Sequence, residues 1–110
     1  MEESINDLKN ISDKAYKPDE LSQAQKSCIE AYCHLYGHGI EPNINDAIGW
    51  FKKSASQGEP RSLFTLGEMY ELGIGYRIDL KEAVEYYRKA AELGNPNALL
   101  KLAKLYLTQP

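Results

Sequence analysis

Apolar residues in this chain fall at helical spacing in short runs, and the runs recur. Between Ser62 and Leu72, the residues Leu63, Leu66, Gly67 and Tyr70 share one face of a helix. Between Asp79 and Leu93, Ala83, Tyr86, Tyr87, Ala90 and Ala91 form a second stripe of the same kind. Sliding the sequence against itself by 36 residues brings Gly37 onto Gly73, Gly39 onto Gly75, Ala47 onto Ala83, Trp50 onto Tyr86 and Phe51 onto Tyr87. The match continues with Lys53 on Lys89, Ala55 on Ala91, Gly58 on Gly94 and Pro60 on Pro96, then Leu63 on Leu99, Leu66 on Leu102 and Tyr70 on Tyr106. Self-similarity at a fixed period marks a repeat architecture, in which each unit buries its apolar face against its neighbours.

Each unit reads as two helices. Gly73-Ile74-Gly75 ends the first, because glycine accepts the left-handed backbone of a helix C-cap. Gly67, within the stripe, lets a neighbouring helix come close. Asp79 is the N-cap expected for the second helix, with Asn45 or Asp46 as its earlier counterpart. Gly94 closes that helix and Pro96 opens the next at a first-turn position. The earliest unit matches less well. Removing two residues from the end of Leu21–Tyr36 places Ile29, Tyr32, Cys33 and Tyr36 on Leu63, Leu66, Gly67 and Tyr70. Ahead of it, Ser4–Tyr16 carries Ile5, Leu8 and Ala15 at loose helical spacing before Pro18 and is expected to be a capping helix. The expectation is an all-α single domain over residues 1–110: a capping segment at 1–18, a first repeat at 21–58, a second at 60–94, and the first helix of a third at 96–110.

Ser62, Leu66-Gly67, Tyr70, Gly73-Ile74-Gly75, Asp79, Ala83, Tyr86-Tyr87, Lys89-Ala90-Ala91 and Gly94 together resemble the Sel-one-like repeat, a relative of the tetratricopeptide repeat. The resemblance is near complete in that unit, good from Gly37 to Gly58 and partial from Pro96 onward. The first unit departs from it, with Tyr32-Cys33 in place of Leu-Gly and Ser54-Ala55 in place of Ala-Ala. The resemblance implies a right-handed superhelix (solenoid) of antiparallel helix pairs, about two and a half repeats long, used as an adaptor or scaffold. It implies no chemistry.

Composition narrows the role. The formal net charge of -3 and the scattered Lys and Arg argue against nucleic acid, whose binding needs clustered cations to displace phosphate counterions. No run of eighteen apolar residues is present, so no membrane span is expected. Met1–Asn10 is polar and lacks the pattern of a secretory signal. Cys28 and Cys33 lie roughly 140° apart around a helix, a poor disulfide geometry, so reduced thiols and a cytoplasmic location are expected. Some bacterial Sel-one-like proteins carry a disulfide-forming cysteine pair in every repeat, and this chain does not. Glu30, Cys33, His34 and His38 hint at a metal site, but His38 stands between Gly37 and Gly39, past the expected helix end. The Gly-x-Gly pairs follow the repeat period, and no strand precedes them as a nucleotide loop requires. No nucleophile has the partners of a catalytic triad. No cofactor, no metal and no catalysis are expected.

A protein partner is the remaining reading. In a helical-repeat superhelix the first helices line the concave side. Opposite their core stripes stand Ser27, Glu30 and His34 in the first unit, Arg61, Phe64, Thr65, Glu68, Glu71 and Leu72 in the second, and Asn97, Leu100, Lys101, Lys104 and Thr108 in the third. The final helix is apolar almost all round, with Leu100, Leu105 and Leu107 exceeding one core stripe, which points to a contact with a partner or a second copy in a homodimer. Cover by the N-terminal helix, or the stub of a longer array, are the alternatives. The leading function is a non-catalytic protein-binding module. A cytosolic bacterial immunity protein neutralising a toxin, and a structural subunit self-assembling through the C-terminal helix, are the competing roles.

Overall fold

A computed structural model describes residues 21–108. The capping helix expected over Ser4–Tyr16 lies outside the described residues. Within them the chain forms five helices and no strand: α1 (Gln23–Tyr36), α2 (Ile44–Ser56), α3 (Pro60–Leu72), α4 (Leu80–Glu92) and α5 (Pro96–Thr108). Each packs on the next, so α1 and α2 form one helical hairpin, α3 and α4 a second, and α5 rests on α4.

Local chemistry sets the helix limits. Ser22 caps α1 with a reciprocal capping box, its side chain accepting from the Gln25 amide while the Gln25 side chain accepts from the Ser22 amide. Asp79 caps α4 by accepting from the Lys81 and Glu82 amides. Its counterpart on α2 is Asn43, which accepts from the Asp46 amide at 3.0 Å, and not Asn45 or Asp46, which lie inside the helix. Asn43 stands 36 residues before Asp79, so the repeat register identifies the cap more reliably than residue type alone. Gly37 and Gly73 both adopt φ near +75° and return their amides to Cys33 and Met69, the geometry that ends α1 and α3.

Those paired caps correct the alignment of the first unit. Cys33 takes the place of Met69, and the Asn43 amide donates to His34 O as the Asp79 amide donates to Tyr70 O. The register is therefore continuous at 36 residues, with no gap. Ile29 and Tyr36, expected in the core stripe, are exposed; Ala24, Ser27, Cys28 and Ala31 are buried in their stead. The reason is positional. The α3 face that buries Leu66 is covered by α2, whereas among the described residues nothing covers the equivalent α1 face, where Glu30 stands.

The core has two parts. Ala31, Ala47, Ile48, Phe51, Leu66 and Met69 fill the space among α1, α2 and α3. Leu63, Ala83, Tyr87, Ala90, Ala98 and Leu105 fill the space among α3, α4 and α5. Gly67 is the point of closest approach in the second, since a Cβ there would fall 2.6 Å from the Tyr87 ring. Each buried aromatic ring of this size contributes on the order of 2–3 kcal/mol by leaving water. Buried serines tie the first three helices together: Ser62 of α3 donates to Ser54 Oγ of α2 at 2.8 Å, and Ser54 donates to the Ala24 carbonyl of α1 at 2.6 Å.

A candidate protein-binding surface

The first helices α1 and α3, with the turn into α5, enclose a cleft of about 480 Å³. Arg61, Phe64 and Glu68 reach it from successive turns of α3, because spacings of three and four residues place them on one side of the helix. Asn97 enters from the start of α5 and Tyr32 from α1. Phe64 is half-buried, its ring 5.5 Å from that of Tyr87, so the core holds the anchor in place. Asn95 positions the rim, its side chain accepting from the Asn97 amide at 2.9 Å.

Electrostatics on this side are mixed. Burial raises the Glu68 carboxyl above the ordinary range, with Glu71 adding to the rise and Lys101 opposing it. Glu71 bridges two elements: it accepts from the Tyr87 hydroxyl at 2.6 Å and meets Lys101 Nζ at 3.3 Å. Burial first, and then that hydrogen bond to a carboxylate, raise the Tyr87 phenol.

The residues expected on this face divide. Arg61, Phe64, Glu68 and Asn97 are brought together. Glu71 and Lys101 are committed to each other beside them. Glu30 and His34 pair at 3.7 Å, and His34 stacks on Trp50 of α2, so it joins a helix–helix contact. Leu72, Leu100 and Lys104 are exposed but do not line the cleft. Thr65 is a correction: it is only 7% exposed, because the Tyr32 hydroxyl lies 2.6 Å from its Oγ1 and closes over it. Ser27 is likewise buried. Leu105, expected at a terminal interface, is a core residue at 9% exposure, whereas Leu107 is 85% exposed. The register carried the signal, since Leu105 stands 36 residues after the buried Met69. Tyr32 was missed as a lining residue because the gapped alignment placed it in the core.

A larger cleft of about 600 Å³ opens on the other side, between α2 and α4. Both helices pack on α3, and the floor of the gap between them is formed by the buried Leu63 and Leu66, with Lys52 and Lys89 at its edge. It follows from helix spacing, and Ser56, Lys52, Lys89 and Glu92 supply its polar lining. Among the described residues no group of three or more His, Cys, Asp or Glu side chains could hold a metal ion, and no helix is long and apolar enough to cross a membrane.

The paired helices, the glycine-capped turns and the close approach at Gly67 define a helical-repeat protein. A sequence model of the Sel1 repeat matches residues 31–59 and 60–95, and the chain belongs to the Sel1 repeat family. The crystal structure of a Sel1 repeat protein from Oxalobacter formigenes superposes with a TM-score of 0.73 at 30% identity, over 94% of this chain and 72% of that one. The structure of c5321, a protective antigen of uropathogenic Escherichia coli strains with an SLR fold, superposes with a TM-score of 0.72 at 30% identity. That match covers 79% of this chain and 19% of that one. The comparison with curated proteins returned no match.

Proposed function

We propose that this chain binds a segment of another protein in the cleft between α1, α3 and the turn into α5, without catalysing a reaction. Sel1 repeats generally mediate protein–protein interaction, which supports the class of function. The observation that carries the site is the grouping of Arg61, Phe64 and Glu68 on one face of α3, opposite Asn97. A half-buried ring flanked by opposite charges suits a partner segment that offers one apolar side chain between polar ones, and such anchors supply most of an interface's energy.

The test uses the whole chain as bait in its native lysate, beside a Phe64→Ala/Glu68→Lys variant whose helical circular dichroism is unchanged. A stoichiometric partner retained by the parent and lost by the variant supports the cleft. A partner held equally by both refutes it.

A further inference from the structure

The outward face of α5 is the apolar surface that nothing in the cleft explains. Leu99, Tyr106 and Leu107 are 60%, 59% and 85% exposed, and Ala103 lies between them on the same side of the helix. Stepping back 36 residues gives Leu63, Gly67, Tyr70 and Glu71 on α3, a face covered by α4. The exposed face therefore continues, in register, an interface already present twice in the molecule, at α1·α2 and α3·α4.

The two covered copies differ in a linked way. At α3·α4 the set is Gly67, Glu71 and Tyr87. The phenol donates to Glu71 at 2.6 Å, which pins the ring over the glycine so closely that a Cβ there would lie 2.6 Å from it. At α1·α2 the equivalent set is Ala31, Leu35 and Phe51. Leucine offers no acceptor, the phenylalanine has no hydroxyl, and the untethered ring turns edge-on to Tyr32 at 4.9 Å, in a core where alanine is tolerated. On α5 the two first-helix positions are Ala103 and Leu107, the α1 pair and not the α3 pair. A cleft of about 540 Å³ between α4 and α5, lined by Leu80, Val84 and Tyr106, adjoins this face. Leu80 and Val84 repeat Ile44 and Ile48, which lie where a Cβ on Gly75, in the turn leading into α4, would collide.

We infer that the α5 face docks an amphipathic helix of another protein whose apolar stripe follows α2: a small residue, then an aromatic and a phenylalanine three and four positions on, then a small residue three further, as in Ala47, Trp50, Phe51 and Ser54. A tyrosine in place of that phenylalanine is disfavoured, because Leu107 leaves its hydroxyl without the acceptor that Glu71 gives Tyr87, and Ala103 obstructs the close ring. This surface is separate from the cleft of α1 and α3, so either can fail without the other.

The experiment titrates the full chain into two fluorescent synthetic peptides, residues 37–58 (the α2 pattern with its glycine turn) and residues 73–94 (the α4 pattern). The expected result is saturable binding of the first at least tenfold tighter than the second, abolished by Leu107→Glu in the protein. Because Leu107 is exposed, that variant should keep its helical signal and its melting temperature. An Ala103→Gly/Leu107→Glu variant should shift preference toward the tyrosine peptide. Three results overturn the proposal: no binding of either peptide up to millimolar concentration, equal binding of both, or sedimentation showing a dimer of this chain that Leu107→Glu dissolves.

Discussion

The hairpins α1–α2 and α3–α4 share a backbone and differ in what fills it. Both end their first helix on a glycine with φ near +75°, and both cap their second with a polar residue six positions later, Asn43 or Asp79. Even an aromatic contact is copied, His34 stacked on Trp50 at 6.4 Å and 12° in one, Tyr70 on Tyr86 at 5.6 Å and 13° in the other. The cores diverge: alanine, leucine and phenylalanine in the first stand where the second has glycine, glutamate and tyrosine. Caps and turns set the register, and within it several side-chain sets achieve the same packing provided they change together.

The largest expected effect breaks the second set outright. Tyr87 is fully buried, so Tyr87→Ala should cost about 3–5 kcal/mol in urea unfolding through the cavity it leaves. Gly67→Ala should cost about 1–3 kcal/mol, because its Cβ meets a ring that the Glu71 hydrogen bond holds in place. The sharper version converts one hairpin's set into the other's. Gly67→Ala/Glu71→Leu/Tyr87→Phe should be more stable than the sum of its single changes requires, by an interaction term of about 1 kcal/mol or more. Strict additivity would show that the two sets are not alternatives.

Much of this was legible in sequence, and the misreadings have a common origin. The glycines, Asp79 and the Gly67 approach follow from backbone rules that hold wherever the residue occurs. Which face of α1 is buried does not, since Ile29 is exposed and Ala31 buried only because of where α2 lies. An alignment scored on apolar character prefers Ile29 and Tyr36, and the cap hydrogen bonds overrule it. Thr65 shows the same limit: threonine on the polar side of a helix looks exposed until the Tyr32 hydroxyl, more than thirty residues away, closes over it. Of the candidate cleft, the α3 residues Arg61, Phe64 and Glu68 and the α5 residue Asn97 could be read from helical geometry, whereas the contribution of Tyr32 depends on tertiary contact.

The junctions between units repeat the lesson with a smaller effect. Between α2 and α3 the buried pair is Ser54 and Ser62, linked to the Ala24 carbonyl; between α4 and α5 the same positions hold Ala90 and Ala98. Removing one serine leaves a buried polar group without its partner, so Ser54→Ala should cost about 1–3 kcal/mol. Changing both serines imitates the other junction and removes the unmet donor at Ser62. Ser54→Ala/Ser62→Ala should therefore lose less than the two single changes added together, read from denaturant midpoints at constant slope.

The smallest effect at neutral pH is one that emerges in the second hairpin at alkaline pH. The phenols of Tyr70 and Tyr87 are both raised, the first to about 12, chiefly by burial and then by Tyr76 and Tyr86; for Tyr87 the hydrogen bond to Glu71 follows burial. In the unfolded chain both release their protons near the ordinary value of about 10. The folded state thus holds protons that the unfolded state gives up. Their contribution is complete below about pH 10 and declines as the pH rises beyond it. The equivalent positions in the first hairpin, His34 and Phe51, have no phenol, although burial also raises the Tyr32 phenol and the Cys28 thiol on α1. Amide exchange followed between pH 9 and 11, corrected for intrinsic rates, should show α3–α4 losing protection as the pH rises. Tyr87→Phe, which removes one of the two contributions, should lessen that loss; an unchanged loss would mean that the Tyr87–Glu71 pair does not govern the alkaline response.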